Sequence, residues 1–130
     1  MLSSIRTAID KIESLSQKKP ITIISHFDAD GITSAAIFSR MMQRWKKQFS
    51  LRVVKNLEES IIKELPEDHL LIFLDLASNS LNYLKEKKTE VIILDHHEII
   101  QEVPSNVTMV NPLQHKHDMV SGAGVCYLFA

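Results

Sequence analysis

The sequence predicts an α/β domain: a mostly parallel sheet with helices on both faces. Two observations carry the prediction. Apolar runs of strand length at residues 21–25, 70–74 and 91–94 alternate with stretches of helical spacing. Strands apolar on both faces need cover on both, which marks a parallel sheet. Each run also delivers a carboxylate at or just past its end: Asp28 and Asp30, Asp75, and Asp95. Parallel strands bring their carboxyl ends to one sheet edge, where open α/β sheets bind ligands.

Taken in order, Leu2, Ile5, Ile9, Ile12 and Leu15 recur at three- and four-residue steps, so residues 2–17 read as an amphipathic helix. Lys18-Lys19-Pro20 ends it, because proline and its predecessor both resist helix. A strand at 21–25 is followed by a helix over 31–48, with Ala35, Ala36, Phe38, Met41, Met42 and Trp45 as its core positions. Arg40, Arg44, Lys46 and Lys47 gather toward its carboxyl half and read as a solvated face favourable to the helix dipole. Residues 51–54 form a short strand with no terminal carboxylate, expected near a sheet edge. Residues 57–65 form a short helix stopped by Pro66, and 70–74 a strand ending in Asp75. A helix over 78–88 takes Ser78 or Asn79 as its N-cap. The strand at 91–94 runs into Asp95-His96-His97-Glu98, and 107–110 adds a fifth strand before Asn111-Pro112. The arrangement is three-layered and Rossmann-like.

With 130 residues the chain is a single domain with room for a real core, and 45% hydrophobic with 24% charged residues is ordinary for a globular protein. A net charge of −1 gives no global basic field that would advertise nucleic acid. The single Cys126 excludes an internal disulfide, and no cysteine pair offers a zinc ribbon. The first residues lack a signal-peptide layout and no apolar run is long enough to span a membrane, so a cytoplasmic protein is expected. Glycines occur only at Gly31, Gly122 and Gly124, in no phosphate-loop pattern, which argues against a nucleotide cofactor held in the usual ways.

The chemistry lies at the strand ends. In an extended stretch alternate side chains share a side, so His26, Asp28 and Asp30 are expected to converge. Singly, Asp28 or Asp30 could cap the helix near Gly31, Asp75 could satisfy loop amides, and His96 could be structural. Together on one sheet edge they make a site. Carboxylates and imidazoles without thiolate suit Mn²⁺ or Mg²⁺. Four or more carboxylates exceed the needs of one ion, so a two-metal cluster is expected, its ions about 3.5–4 Å apart and activating water against a phosphate. The helix start at Gly31 adds partial positive charge for a phosphate oxygen.

These residues closely resemble the DHH phosphoesterases, named for the motif present here as Asp95-His96-His97. His26-Phe27-Asp28-Ala29-Asp30-Gly31 resembles the family's first motif, and Leu74-Asp75-Leu76-Ala77 its second. Asn111-Pro112 and Ser121-Gly122-Ala123-Gly124-Val125 are similar to the stretch that follows in RecJ-like members, archaeal ones in particular. The resemblance implies that His26, Asp28 and Asp75 bind one metal and that Asp30, Asp75 and His96 bind the second, with Asp75 bridging. It implies that His97 faces the scissile phosphate, that Asp95 is a ligand or orients the site, and that a metal-bridging hydroxide is the nucleophile. Many members place the first-motif histidine four residues before the first Asp, where this chain has Ile24; His26 stands two before it, as in some RecJ-like sequences. A fourth motif with a further metal-binding Asp, and a C-terminal substrate-binding domain, have no counterpart here. His115, His117 and Asp118 are read as a solvated loop rather than as substitutes.

The expected function is therefore RecJ-like: Mn²⁺- or Mg²⁺-dependent exonuclease action on single-stranded DNA or RNA, by the N-terminal catalytic part of a longer protein, weak or inactive in this portion alone. One alternative is hydrolysis of short oligonucleotides or cyclic dinucleotides. Another is a non-catalytic replication scaffold, since archaeal RecJ-like proteins and a eukaryotic relative associate with the GINS complex and the replicative helicase. The uncharged stretch from Val120 to Ala130 reads as a core helix whose apolar surface needs cover, and self-association through it is one expectation.

Overall fold

The computed structural model describes residues 1–115 and 120–130. Its strands are β1 (Ile21–His26), β2 (Ser50–Val54), β3 (Leu70–Leu74), β4 (Val91–Leu94) and β5 (Val107–Val110). All are parallel and form one sheet in the order β2-β1-β3-β4-β5. The helices are α1 (Leu2–Leu15), α2 (Ala29–Arg44), α3 (Glu59–Glu64), α4 (Leu81–Leu84) and α5 (Gly122–Phe129). The predicted α/β class holds, with every strand pair parallel. Among the described residues no helix is long and apolar enough to cross a membrane.

Period-two alternation divides the core between the two faces. Ile23, Ile72 and Ile92 lie side by side in register and pack under α1, α2 and α5 with Ile12, Phe38, Met42, Val125 and Phe129. Their neighbours Ile24, Phe73 and Ile93 point the other way, onto Ile62 of α3 and Leu81 and Leu84 of α4. β3 and β4 are buried at every residue, as their unbroken apolar runs require. β2, the strand without a terminal carboxylate, lies at the edge, with only Val54 buried.

The expected helices over 2–17 and 57–65 are each shorter by a few residues, and two others depart further from the sequence expectation. α2 begins at Ala29 rather than Gly31, because Asp28 is its N-cap: Asp28 Oδ1 accepts the Gly31 amide at 2.8 Å. Of its expected core positions Ala36 is exposed, while Ser34 turns inward. The helix expected over 78–88 shrinks to α4. The chain after β3 passes through left-handed conformations at Asp75 (φ 61°) and Ala77 (φ 90°), and Ser78 gives its amide to Asp95 rather than to a helix. Helix period and polar caps are visible in sequence; a loop recruited to a distant carboxylate is not.

The connection from β1 leads outward to β2, and the chain then crosses back to β3 on the other side of β1. The strand order reverses between β1 and β3, which is where a doubly wound sheet opens a crevice at its carboxyl edge.

Candidate metal centre

β1 ends at His26, and the chain turns at once into α2. His26, Asp28 and Asp30 do not converge by strand alternation: the first ends a strand, the second caps a helix and the third sits in its first turn. His26 Nδ1 lies 2.9 Å from Asp28 Oδ2 and 3.8 Å from Asp75 Oδ2. Its Nε2 reaches the Lys55 carbonyl at 3.0 Å, tying the ring to the segment after β2. The Gly31 amide, expected to face a phosphate, is committed to Asp28. Gly31 is required for a different reason, since a Cβ there would overlap the His26 carbonyl. The hydrogen bond donated by the Gly31 amide, with His26 nearby, holds the Asp28 carboxyl below the usual range.

At the end of β3, Asp75 is 1% exposed and occupies the centre. Its Oδ1 contacts His96 Nε2 at 3.0 Å, while its Oδ2 is a buried oxygen without a hydrogen-bond partner. Burial, the adjacent Asp30 carboxyl and the charges of Asp28 and Asp95 push the Asp75 carboxyl up to about 8. An orphaned buried oxygen on a carboxylate surrounded by carboxylates is the deficit a cation would fill.

β4 delivers Asp95-His96-His97. Asp95 is fully buried, and both its oxygens accept hydrogen bonds: Ser78 N donates to Oδ2 at 3.1 Å, and His96 N to Oδ1 at 2.8 Å. His97 Nδ1 lies 2.6 Å from Oδ1. Burial alone would raise the Asp95 carboxyl, but His97, Ser78 and the His96 amide outweigh it and hold it low. Asp95 in turn raises the His97 imidazole. His96 Nε2 points between Asp75 Oδ1 and Asp30 Oδ2, 3.3 Å from the latter. The imidazoles of His96 and His97 face each other at 4.4 Å between ring centroids.

Among the described residues two groups of potential ligand atoms result, His26/Asp28/Asp75 and Asp75/Asp95/His96/His97, and Asp75 belongs to both. Asp30 stands beside the second, its oxygens accepting the Gly122 and Ala123 amides of α5 at 2.8 Å each. The strand-end carboxylates singled out in the sequence are thus brought together, with three histidines. Carboxylate and imidazole donors without thiolate suit a hard divalent cation. Cys126 is buried, with its thiol pushed up to about 12 by that burial.

Sequence comparison decides the family. The N-terminal domain of the DHH family matches residues 20–130. The chain belongs to the DHH family. This DHH domain is 33% identical over 121 residues to an uncharacterized protein of Methanocaldococcus jannaschii, covering 85% of this chain and 28% of that protein. It is 28% identical over 146 residues to the single-stranded-DNA-specific exonuclease RecJ of Bacillus subtilis, covering 99% of this chain and 18% of that one. The chain therefore spans less than a third of the length of these relatives. Among solved structures, RecJ from Thermus thermophilus in complex with Mn²⁺ superposes with a TM-score of 0.79 at 27% identity, over 97% of this chain and 20% of that one. CDC45 from Entamoeba histolytica shares the fold, with a TM-score of 0.70 at 18% identity over 98% of this chain and 28% of that one.

A cleft of about 300 Å³ opens beside the DHH centre, lined by His26, Asp75, Asp95 and His97 together with Lys55 and Asn79. Two contributors lay outside the sequence expectation. The Lys55 carbonyl follows a strand with no terminal carboxylate, and nothing in its identity marks it. Asn111 stood out only beside Pro112: buried, it donates from Nδ2 to the His97 carbonyl at 2.9 Å and accepts the Leu113 amide at 3.0 Å. It fixes the loop that carries the histidines. His115 lies against Ser4 at 3.2 Å, and His117 and Asp118 fall outside the described residues.

Proposed function

We propose that this chain hydrolyses phosphodiesters of single-stranded nucleic acid in the manner of RecJ, with Mn²⁺ or Mg²⁺ as its cofactor. The observation that carries the reading is Asp75: one buried, proton-hungry carboxylate shared by two ligand groups, with an oxygen left unsatisfied. Relatives named as single-stranded-DNA-specific exonucleases, and a RecJ structure containing Mn²⁺, support the substrate and the metal.

In this reading His26, Asp28 and Asp75 hold one ion, and Asp75, Asp30 and His96 hold the other. A pair of divalent ions in that donor set supplies Lewis acidity toward a phosphodiester and compensates the charge that develops in an in-line displacement. The protein does the rest. Both Asp95 oxygens already accept hydrogen bonds, so its task in this reading is orientation: Oδ1 fixes the His97 ring by Nδ1 and leaves Nε2 for a substrate phosphate. Asn111 holds the His97 backbone from below.

The test is hydrolysis of 5′-labelled single-stranded DNA, single-stranded RNA and a dinucleotide by the full-length protein in Mn²⁺. Cleavage of a single strand that EDTA and Asp75→Asn both abolish is expected. Preference for the dinucleotide would overturn the single-strand reading. No hydrolysis of any of the three in Mn²⁺ or Mg²⁺ would overturn the hydrolase.

A further inference from the structure

The stretch Ser121-Gly122-Ala123-Gly124 forms the first turn of α5, and no step of the proposed reaction uses it. Yet Gly122 N donates to Asp30 Oδ2 and Ala123 N to Asp30 Oδ1, both at 2.8 Å, across more than ninety residues of chain. The third amide of the turn, on Gly124, is satisfied by the Ser121 side chain at 3.0 Å. The turn therefore divides its free amides: one goes to its own cap, and two go to a carboxylate of the metal centre.

We propose that the first turn of α5 is a positioning element for that centre, with Gly122 as its critical residue. The inference rests on the reading of Asp75 and Asp30 as metal ligands. Two amides on two oxygens fix the carboxylate plane of Asp30 and leave each oxygen one lone pair directed away from α5. Asp30 Oδ2 is held 3.3 Å from His96 Nε2 in that pose. Burial works against the charge on Asp30, but the Ala123 and Gly122 amides, with Asp75 and His96, together hold its carboxyl low.

Gly122 has a second task, which is to be small. A Cβ there would overlap the Oδ1, Cγ and Cβ atoms of Asp75. Asp75 has nowhere to retreat: it is 1% exposed, and its backbone is already left-handed at φ 61°. Gly124, two residues on, offers the contrast. A Cβ at Gly124 would meet Cγ1 of Val120, the far end of a half-buried side chain. Both Gly→Ala changes give α5 the same gain in helix propensity. Only one of them intrudes on the acidic centre.

The experiment is Mn²⁺ titration by calorimetry and electron paramagnetic resonance on the wild type, Gly122→Ala and Gly124→Ala, with each metal-free melting curve alongside. Gly122→Ala is expected to weaken at least one ion by about 10–100-fold, the usual cost of losing an outer-shell support, and to alter the Mn²⁺ spectrum. Gly124→Ala is expected to keep both ions and the wild-type spectrum. Equal weakening by the two variants, or wild-type binding by Gly122→Ala, would overturn the proposal. A metal-free measurement separates it from the reading it rests on. By amide hydrogen exchange, Asp30→Ala is expected to deprotect Gly122 and Ala123 while leaving Gly124 unchanged. Unchanged protection at Gly122 and Ala123 would overturn the clamp whether or not the wild type binds Mn²⁺.

Discussion

β3 and β4 lie side by side, and each ends in a buried aspartate, but the two carboxylates live in opposite conditions. Asp95, after β4, collects the amides of Ser78 and His96 and the imidazole of His97, and its carboxyl lies below the ordinary range. Asp75, after β3, touches His96 through one oxygen, has no partner on the other, and its carboxyl sits near 8. Burial acts on both. What separates them is donors and neighbouring charge: Asp95 is supplied with donors by its own chain, and Asp75 has few donors and stands among the carboxylates of Asp30, Asp28 and Asp95. The same residue type at equivalent strand ends is a brace in one case and, in the reading proposed above, a ligand in the other.

The largest effect on folding should come from removing the brace. Asp95→Ala strands the amides of Ser78 and His96 and the His97 imidazole around a buried void and is expected to cost on the order of 3–5 kcal/mol of metal-free stability, read by urea unfolding. Asp75→Asn should cost little in the same experiment. A comparable loss from both would erase the distinction between them.

The pH dependence sharpens the contrast. The Asp75 carboxyl is raised in the folded chain from 3.8 to about 8, so the native state binds a proton that the unfolded chain has released. Its stabilising contribution is full below the unfolded value and is lost as pH rises through about 8. The lowered Asp95 carboxyl has the reverse sign: its contribution stands above 3.8 and fades as pH falls below that value. In metal-free melting curves from pH 5 to 9 the wild type should therefore lose stability toward alkali, and Asp75→Asn should flatten that decline. An unchanged slope in Asp75→Asn would place the titration elsewhere.

A smaller effect is expected beneath the histidine loop. Asn111→Ala removes the donor to the His97 carbonyl and the acceptor for Leu113, at a cost of about 1–3 kcal/mol by urea unfolding. Smallest is Ala77→Gly. Ala77 sits at φ 90° just past Asp75, and relief of that strain should stabilise the chain by about 1 kcal/mol after the entropy glycine adds to the unfolded state.

Much of this was legible in the sequence for a physical reason. A parallel sheet must be apolar on both faces, so residues 70–74 and 91–94 announce themselves, and the carboxylates that interrupt those runs mark the functional edge. Asp28, Asp75, Asp95 and His96 meet because of that topology. The sequence was silent where a group's role depends on what the rest of the chain brings to it. It could not tell the filled Asp95 from the unfilled Asp75, nor show that Gly31's amide belongs to Asp28. It could not show that the helix after Asp75 would yield its first turns to a loop serving Asp95. Composition and period report on faces and layers; donor counts at a buried oxygen are a property of the folded chain alone.

The most direct test of Asp75 as the shared ligand is diffraction at the manganese edge from crystals of this chain soaked in Mn²⁺. Two anomalous peaks are predicted, one beside His26 and Asp28 and one beside His96, with a separate Asp75 oxygen bonded to each and Asp95 bonded to neither. Peaks that leave Asp75 without a metal contact, or that draw Asp95 out of its hydrogen bonds as the bridging ligand, would contradict the account.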